Sequence, residues 1–168
     1  MNRRAIEPAP RLRRRLASLM YEALLLFGLA FGVAFGYALA TRQQHALQGR
    51  TGLLVAMAIG AGLYFVWCWT RSGQTLPMQT WQLRLVSAGG GRVSVPRAVW
   101  RYLLCWLWFL PALGLSALLG WQGQTARVGL MVLAGVGLYG ALAWVLPGRQ
   151  FLHDLLAGTR LVAAGARG

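Results

Sequence analysis

The sequence predicts an all-α membrane protein: four transmembrane helices, with a small amphipathic β-hairpin in the central cytoplasmic loop. Three observations carry that prediction. The chain is 57% hydrophobic and only 12% charged, with a mean hydropathy of +0.51. Soluble domains carry about 25% charged residues, so a water-facing surface here would stay largely apolar. The apolar residues gather into four stretches, each close to the roughly 20 residues that a helix needs to cross a bilayer. Finally, the segments between those stretches alternate between Arg-rich and Arg-poor, which is the signature of orientation in a membrane.

Residues 1–18 form an Arg-rich tail, and the first span follows over about 19–40, interrupted only by Glu22. It is too long for the apolar core of a cleaved signal, so it is expected to be retained. The second span covers about 52–70. The third, about 98–121, starts with Arg101 and contains Pro111, which removes a backbone donor and should kink the helix. The fourth, about 126–146, is closed by Pro147-Gly148, a helix-stop signal, and residues 147–168 form a second tail. All seventeen basic residues are Arg; fourteen fall in the two tails and the loop from span two into the start of span three, against Arg42, Arg50 and Arg127 elsewhere. Both termini are therefore expected in the cytoplasm. Tyr21, Trp67, Trp69, Trp100, Tyr102 and Trp144 near one face, with Tyr37 and Trp121 near the other, read as an anchoring belt of amphipathic rings.

The loop "TLPMQTWQLRLVSAGGGRVSV" alternates Trp81, Leu83 and Leu85 with Gln82 and Arg84, then, past three glycines, Val93 and Val95 with Arg92 and Ser94. That pattern predicts the hairpin. Two strands alone are marginal in water, so it should lie against the membrane surface or the helix ends. In span one, Gly28, Gly32 and Gly36 recur every four residues, and Gly137 and Ala141 share that spacing in span four. Small residues at this spacing let helix backbones approach closely in lipid. Packing inside one four-helix bundle and association with a second copy or a membrane partner both fit.

These landmarks resemble the RDD family of small bacterial membrane proteins over about residues 10–162. "RRLASLMYEALLL" resembles the family's opening, with Arg15 at the position of its Arg; "SGQTLPMQTWQLRLV" resembles its loop signature; "FLHDLLAGTRLV" resembles its closing signature, with Asp154 at the position of its last Asp. Three positions depart from the pattern: Glu22 stands where the family usually has Asp, Pro77 where Gly is frequent, and Leu155 where a basic residue is common. The resemblance implies a bacterial inner-membrane location. A cation-transport role has been proposed for some relatives, while the family name itself describes residues and no reaction.

The charged residues then become the candidate site. An ionisable group inside a span is costly and is by default a functional candidate, which singles out Glu22. Arg15, Ser18 and Glu22 share one helix face. Arg101, entering span three at similar depth, is the expected bidentate partner of Glu22. His153 and Asp154 follow span four on the same side, so Arg15, Glu22, Arg101, His153 and Asp154 form a candidate ionisable cluster. Structurally it would lock loop and tail to the bundle, with Asp154 alternatively capping a short helix. Functionally it would be the mouth of an ion or proton site, with His153 titrating near neutrality.

Other classes are disfavoured. A pI near 11.7 invites nucleic-acid binding, but no reader motif accompanies it. Cys68 and Cys105 lie in apolar runs without metal-ligand spacing, and His45 and His153 are expected on opposite sides of the membrane, so no metal is expected. No Ser nucleophile with a supporting base is identifiable, no cofactor fingerprint is present, and the chain is read as a non-enzyme. The expected partners are the lipid bilayer and a second copy or a membrane protein against the glycine face of span one. Two functions remain: participation in cation, proton or small-solute transport, or a non-transporting scaffold or accessory subunit.

Overall fold

The Pro-free run that begins at Leu12 forms a single helix, α1 (Leu12–Thr41), in a computed structural model that describes residues 10–42 and 49–164. At about 1.5 Å per residue, a helix of 30 residues exceeds the roughly 30 Å hydrocarbon core, so its Arg-rich first turns extend beyond it. The helix stops at Arg42, whose N–H bonds the carbonyls of Ala38 and Leu39 and whose left-handed φ of 50° turns the chain out of the helix. The second helix, α2 (Arg50–Arg71), returns along the first. Their contact is close at Gly60, where an added Cβ would stand 2.9 Å from Val33.

Together with α6 (Thr125–Val145), these two helices are long and apolar enough to cross a membrane. The third predicted span is broken rather than continuous. Its first part, α4 (Val95–Cys105), ends in a 3-10 turn at Trp106–Trp108, and α5 (Leu110–Leu118) leaves at 43° to it. Pro111 lies in the first turn of α5. Its ring and missing N–H exclude the bonding that a straight helix would need there, so the expected kink becomes a break.

Most side chains on the long helices are not covered by protein. Phe27, Phe31, Phe35, Leu63, Leu130 and Leu138 are all exposed, a cost in water but none in lipid, where hydrocarbon is the solvent. The buried core instead lies where α2 ends and α4 begins. Trp69, Met78, Leu83, Leu85, Val93, Ala98 and Leu161 form one cluster, and Tyr139, Ala143 and Phe151 a second.

Short elements build that end. Thr75 caps α3 (Leu76–Thr80), its hydroxyl accepting the Met78 N–H, with Pro77 in the first turn where its missing donor costs nothing. Strand β1 (Leu83–Ser87) follows, and after α6 come α7 (Leu152–Leu156) and strand β2 (Thr159–Ala163). The hairpin expected within the central loop does not form. β1 pairs instead with β2, antiparallel, from Leu83 opposite Ala163 to Ser87 opposite Thr159. Residues 92–95 are not a strand: Val93 is buried in the core and Ser94 leads into α4. The Gly-rich turn is closed by Gly90 N–H on the Ser87 carbonyl and Gly91 N–H on the Ser87 hydroxyl, and it releases the chain into α4. The other edge of β1 is held by the Leu85 N–H on the Gly73 carbonyl at 2.7 Å. Gly73 has φ +73°, and a Cβ there would lie 2.8 Å from the Leu85 carbonyl oxygen, so only glycine fits. The predicted tail after residue 147 is thus a folded part of the core as far as Ala163.

Two members of the expected aromatic belt are also placed differently. Trp67, Trp100 and Trp144 are exposed, but Trp69 is buried and Tyr102 turns inward to donate to the Ala58 carbonyl. His45 and Arg167 lie outside the described residues.

Candidate functional site

Arg15, Glu22, Arg101, His153 and Asp154 are all buried, none more than 7% exposed. They sit where α1, α2, α4 and α7 meet the loop. Their pairing differs from the expectation that Arg101 holds Glu22. Arg101 turns to Asp154, placing Nε at 2.8 Å and Nη2 at 2.7 Å from the same oxygen, Oδ1. The pair is therefore not bidentate, and among the described residues Oδ2 has no donor. The Arg101 guanidinium also lies over the Trp69 ring, 4.2 Å from its centroid. Asp154 stands in the first turn of α7 but does not cap it; Phe151 holds the cap position, without a side-chain bond.

His153 is enclosed between the ion pair and α6. Its Nε2 is 3.3 Å from Arg101 Nη2 and 3.6 Å from Asp154 Oδ1, while Nδ1 is 3.0 Å from the Tyr139 hydroxyl and 3.4 Å from the Trp108 indole N–H. The Tyr139 oxygen also accepts the His153 backbone N–H at 2.9 Å. Trp N–H only donates, so a bond from Trp108 requires an unprotonated Nδ1. The neutral ring then carries its proton on Nε2, on the side of Asp154 Oδ1, whereas an imidazolium would add an Nδ1–H facing the Trp108 donor. Burial is the largest influence on His153; Arg101 and Arg15 act with it against the attraction of Asp154, and the pKa falls to about 4. His153 is thus a neutral imidazole at neutral pH, not the group titrating near neutrality that the sequence suggested. Burial alone would raise the Asp154 pKa, but Arg101, His153 and Arg15 outweigh it and hold the carboxyl below its ordinary value.

Glu22 forms a separate centre. Its Oε1 accepts from the Tyr64 hydroxyl at 2.9 Å and its Oε2 from the Thr75 hydroxyl. No guanidinium among the described residues reaches it within ion-pair distance. Thr75, 1% exposed, thereby joins the α3 cap to a carboxylate in the first span. Arg15, Ser18 and Glu22 occupy the buried face of α1. Arg15 donates from Nη1 to the Arg149 carbonyl and lies over the Phe151 ring, 3.9 Å from its centroid, while its Nε and Nη2 find no acceptor among the described residues.

Sequence reasoning missed Tyr64, Thr75, Trp69, Trp108 and Tyr139. Thr75 was legible as a helix cap, because Thr-Leu-Pro is a cap followed by Pro in the first turn. The aromatic residues carried no such signal, since a ring hydroxyl that serves a buried carboxylate and one that faces headgroups look alike along a chain. Among the described residues, Gly28, Gly32 and Gly36 meet nothing within 4 Å, so they do not pack against the described part of the monomer. They line the open side of α1 beside the exposed Phe27, Phe31 and Phe35.

Long apolar helices with their polar groups gathered at one end define a small helical membrane protein. A model of the RDD family matches residues 9–158, and the chain belongs to that family. Comparison with curated proteins and with solved structures returned no match.

Proposed function

We propose that this chain is a four-span protein of the bacterial inner membrane, with both termini cytoplasmic, and that it takes part in moving a cation, proton or small solute. The span count is supported by the sheet. β1 and β2 are hydrogen-bonded to each other, and only the bent α4–α5 pair and α6 span between them. If α6 crosses the membrane, α4–α5 must cross as well for the strands to meet on one side. The Arg distribution then puts that side in the cytoplasm.

The observation that carries the transport reading is the setting of Glu22. It is a buried carboxylate in the first span, held among the described residues by two hydroxyl donors. Asp154 is locked in an ion pair, whereas Glu22 can take up a proton or a cation without breaking one. Hydroxyl groups can rotate to follow either charge state. Tyr64 and Thr75 would therefore position the carboxylate, and the Arg101–Asp154–His153 network would hold the surrounding elements. No reaction chemistry is assigned to the site.

The open Phe-Gly face of α1 favours a second element of the reading, a partner. Three glycines with open space, each preceded by an exposed Phe, offer matched grooves and ridges to a second copy or another membrane helix. A scaffold or accessory subunit would use that face without Glu22.

Cation/proton exchange in proteoliposomes tests the reading, comparing wild type with Glu22→Gln and Asp154→Asn at matched folding and insertion. Exchange that is present in wild type and lost in well-folded Glu22→Gln supports transport. Absence of exchange in wild type across several monovalent cations transfers the assignment to the scaffold.

A further inference from the structure

The same end of the molecule carries arginines that the ion-pair network does not use. Arg84 and Arg160 lie on the face of the two-stranded sheet opposite the core residues Leu83, Leu85 and Leu161, a face they share with the buried Val86 and Val162. Arg84 lies opposite Val162 and Arg160 opposite Val86, which makes the two arginines diagonal neighbours on one face. Such neighbours are about 7–8 Å apart at the backbone, within mutual reach of long side chains. Neither is joined to a carboxylate among the described residues, and each has a shielded Nε without an acceptor. The two described acids are committed elsewhere, Glu22 to Tyr64 and Thr75 and Asp154 to Arg101.

A third cation stands near Arg160. Arg97 Nε lies 3.9 Å from where a Cβ on Gly158 would be, two residues before Arg160, and Arg160 Nη2 lies 3.5 Å from the equivalent point on Gly90. Arg97 is in the first turn of α4, a turn that holds no acid and whose cap residue Ser94 makes no side-chain capping bond among the described residues. The positive end of that helix dipole therefore adds to the three guanidinium charges. Three arginines on one side of the sheet, with no carboxylate beside them among the described residues, are complementary to an anion.

Depth identifies the anion. The Arg84 stem passes 3.3 Å from the Cβ position of Gly73, the second residue after α2 ends, so Arg84 sits where that span leaves the bilayer. Arg97 is three residues from Trp100, which is 53% exposed on the lipid side of α4, and exposed tryptophans mark the headgroup level. The three arginines thus stand at the height of lipid phosphates.

We propose that Arg84, Arg160 and Arg97 form a binding site for the phosphate of an anionic phospholipid, seated on that face of the β1–β2 sheet. The site would clamp the junction of central loop and C-terminal segment to the membrane surface. It does not depend on transport.

The test uses the full chain in detergent micelles, with thermal unfolding followed while dioleoylphosphatidylglycerol or dioleoylphosphatidylcholine is titrated in. Wild type is expected to be stabilised by the anionic lipid alone. R84Q/R160Q should bind it roughly thirtyfold more weakly, given the usual contribution of an arginine at an anionic surface. R127Q, at the opposite end of α6, should match wild type. R84K/R160K, which keeps both charges, should retain most of the effect and guards against a folding defect in the glutamine variant. Equal stabilisation of wild type by both lipids overturns the proposal, as does an R84Q/R160Q response equal to that of R127Q. Inorganic phosphate reproducing the full effect would assign the site to free phosphate and overturn the lipid assignment.

Discussion

Replacing Asp154 by Asn should cost about 3–5 kcal/mol of stability, the usual loss when one partner of a buried ion pair is removed. Asp154 is completely buried, the side chain of Arg101 is only 9% exposed, and two guanidinium nitrogens converge on one oxygen at 2.7 and 2.8 Å. With charge centres roughly 4 Å apart and an effective dielectric near 20, the attraction is about 4 kcal/mol. Asn keeps an acceptor oxygen but leaves the Arg101 cation enclosed, with the Trp69 face as its remaining charge partner. A face of that kind returns about 2 kcal/mol when dry, less than the attraction lost. Unfolding in mixed detergent micelles, followed by tryptophan fluorescence, measures the loss. Arg101→Met with Asp154→Leu should recover most of it, because two apolar groups leave no buried charge. A cost below about 1 kcal/mol for Asp154→Asn, as for an exposed pair, or a double variant as unstable as the single one, would refute a buried, stabilising Arg101–Asp154 pair.

Four further outcomes are expected. The folded His153 has a pKa of about 4 against an ordinary 6.5, so the unfolded chain takes up the proton first. Its contribution is complete above pH 6.5 and is lost as pH falls toward 4, roughly 3 kcal/mol in all by linkage. Asp154, also depressed, adds a loss in the same direction at lower pH, and His153→Gln should flatten the melting temperature between pH 6.5 and 4.5. Tyr139→Phe removes the acceptor of the His153 backbone N–H and a partner of Nδ1; a destabilisation of about 1–3 kcal/mol is expected, measurable in the same micelles. Gly60→Ala forces a Cβ to 2.9 Å from Val33, whose β-branched side chain yields little, so a loss of about 1–3 kcal/mol is expected. Gly32→Ala, with open space around it, should leave monomer stability unchanged or raise it by up to about 1 kcal/mol; a drop in cross-linked dimer on Gly32→Leu would place a partner on that face.

Much of this protein is determined by short-range properties of the chain. Stretches of about 20 apolar residues have few alternatives to a helix in lipid, because every backbone group must be satisfied internally. The long apolar helices were therefore legible from composition, and Pro111 announced a kink where the structure has a break, because its missing donor acts locally. The collection of Arg15, Glu22, Arg101, His153 and Asp154 at one end was legible for the same reason: helix length and direction fix which residues share a membrane face. Their partners were not. Whether Arg101 reaches Glu22 or Asp154 turns on where α7 is held, and that depends on β2 pairing with β1 across more than seventy residues. An alternating strand pattern states which face is apolar but not which strand lies beside it. The tertiary structure alone decided that the C-terminal segment fills the edge of β1, which brings Asp154 under Arg101 and leaves Glu22 to the hydroxyls of Tyr64 and Thr75.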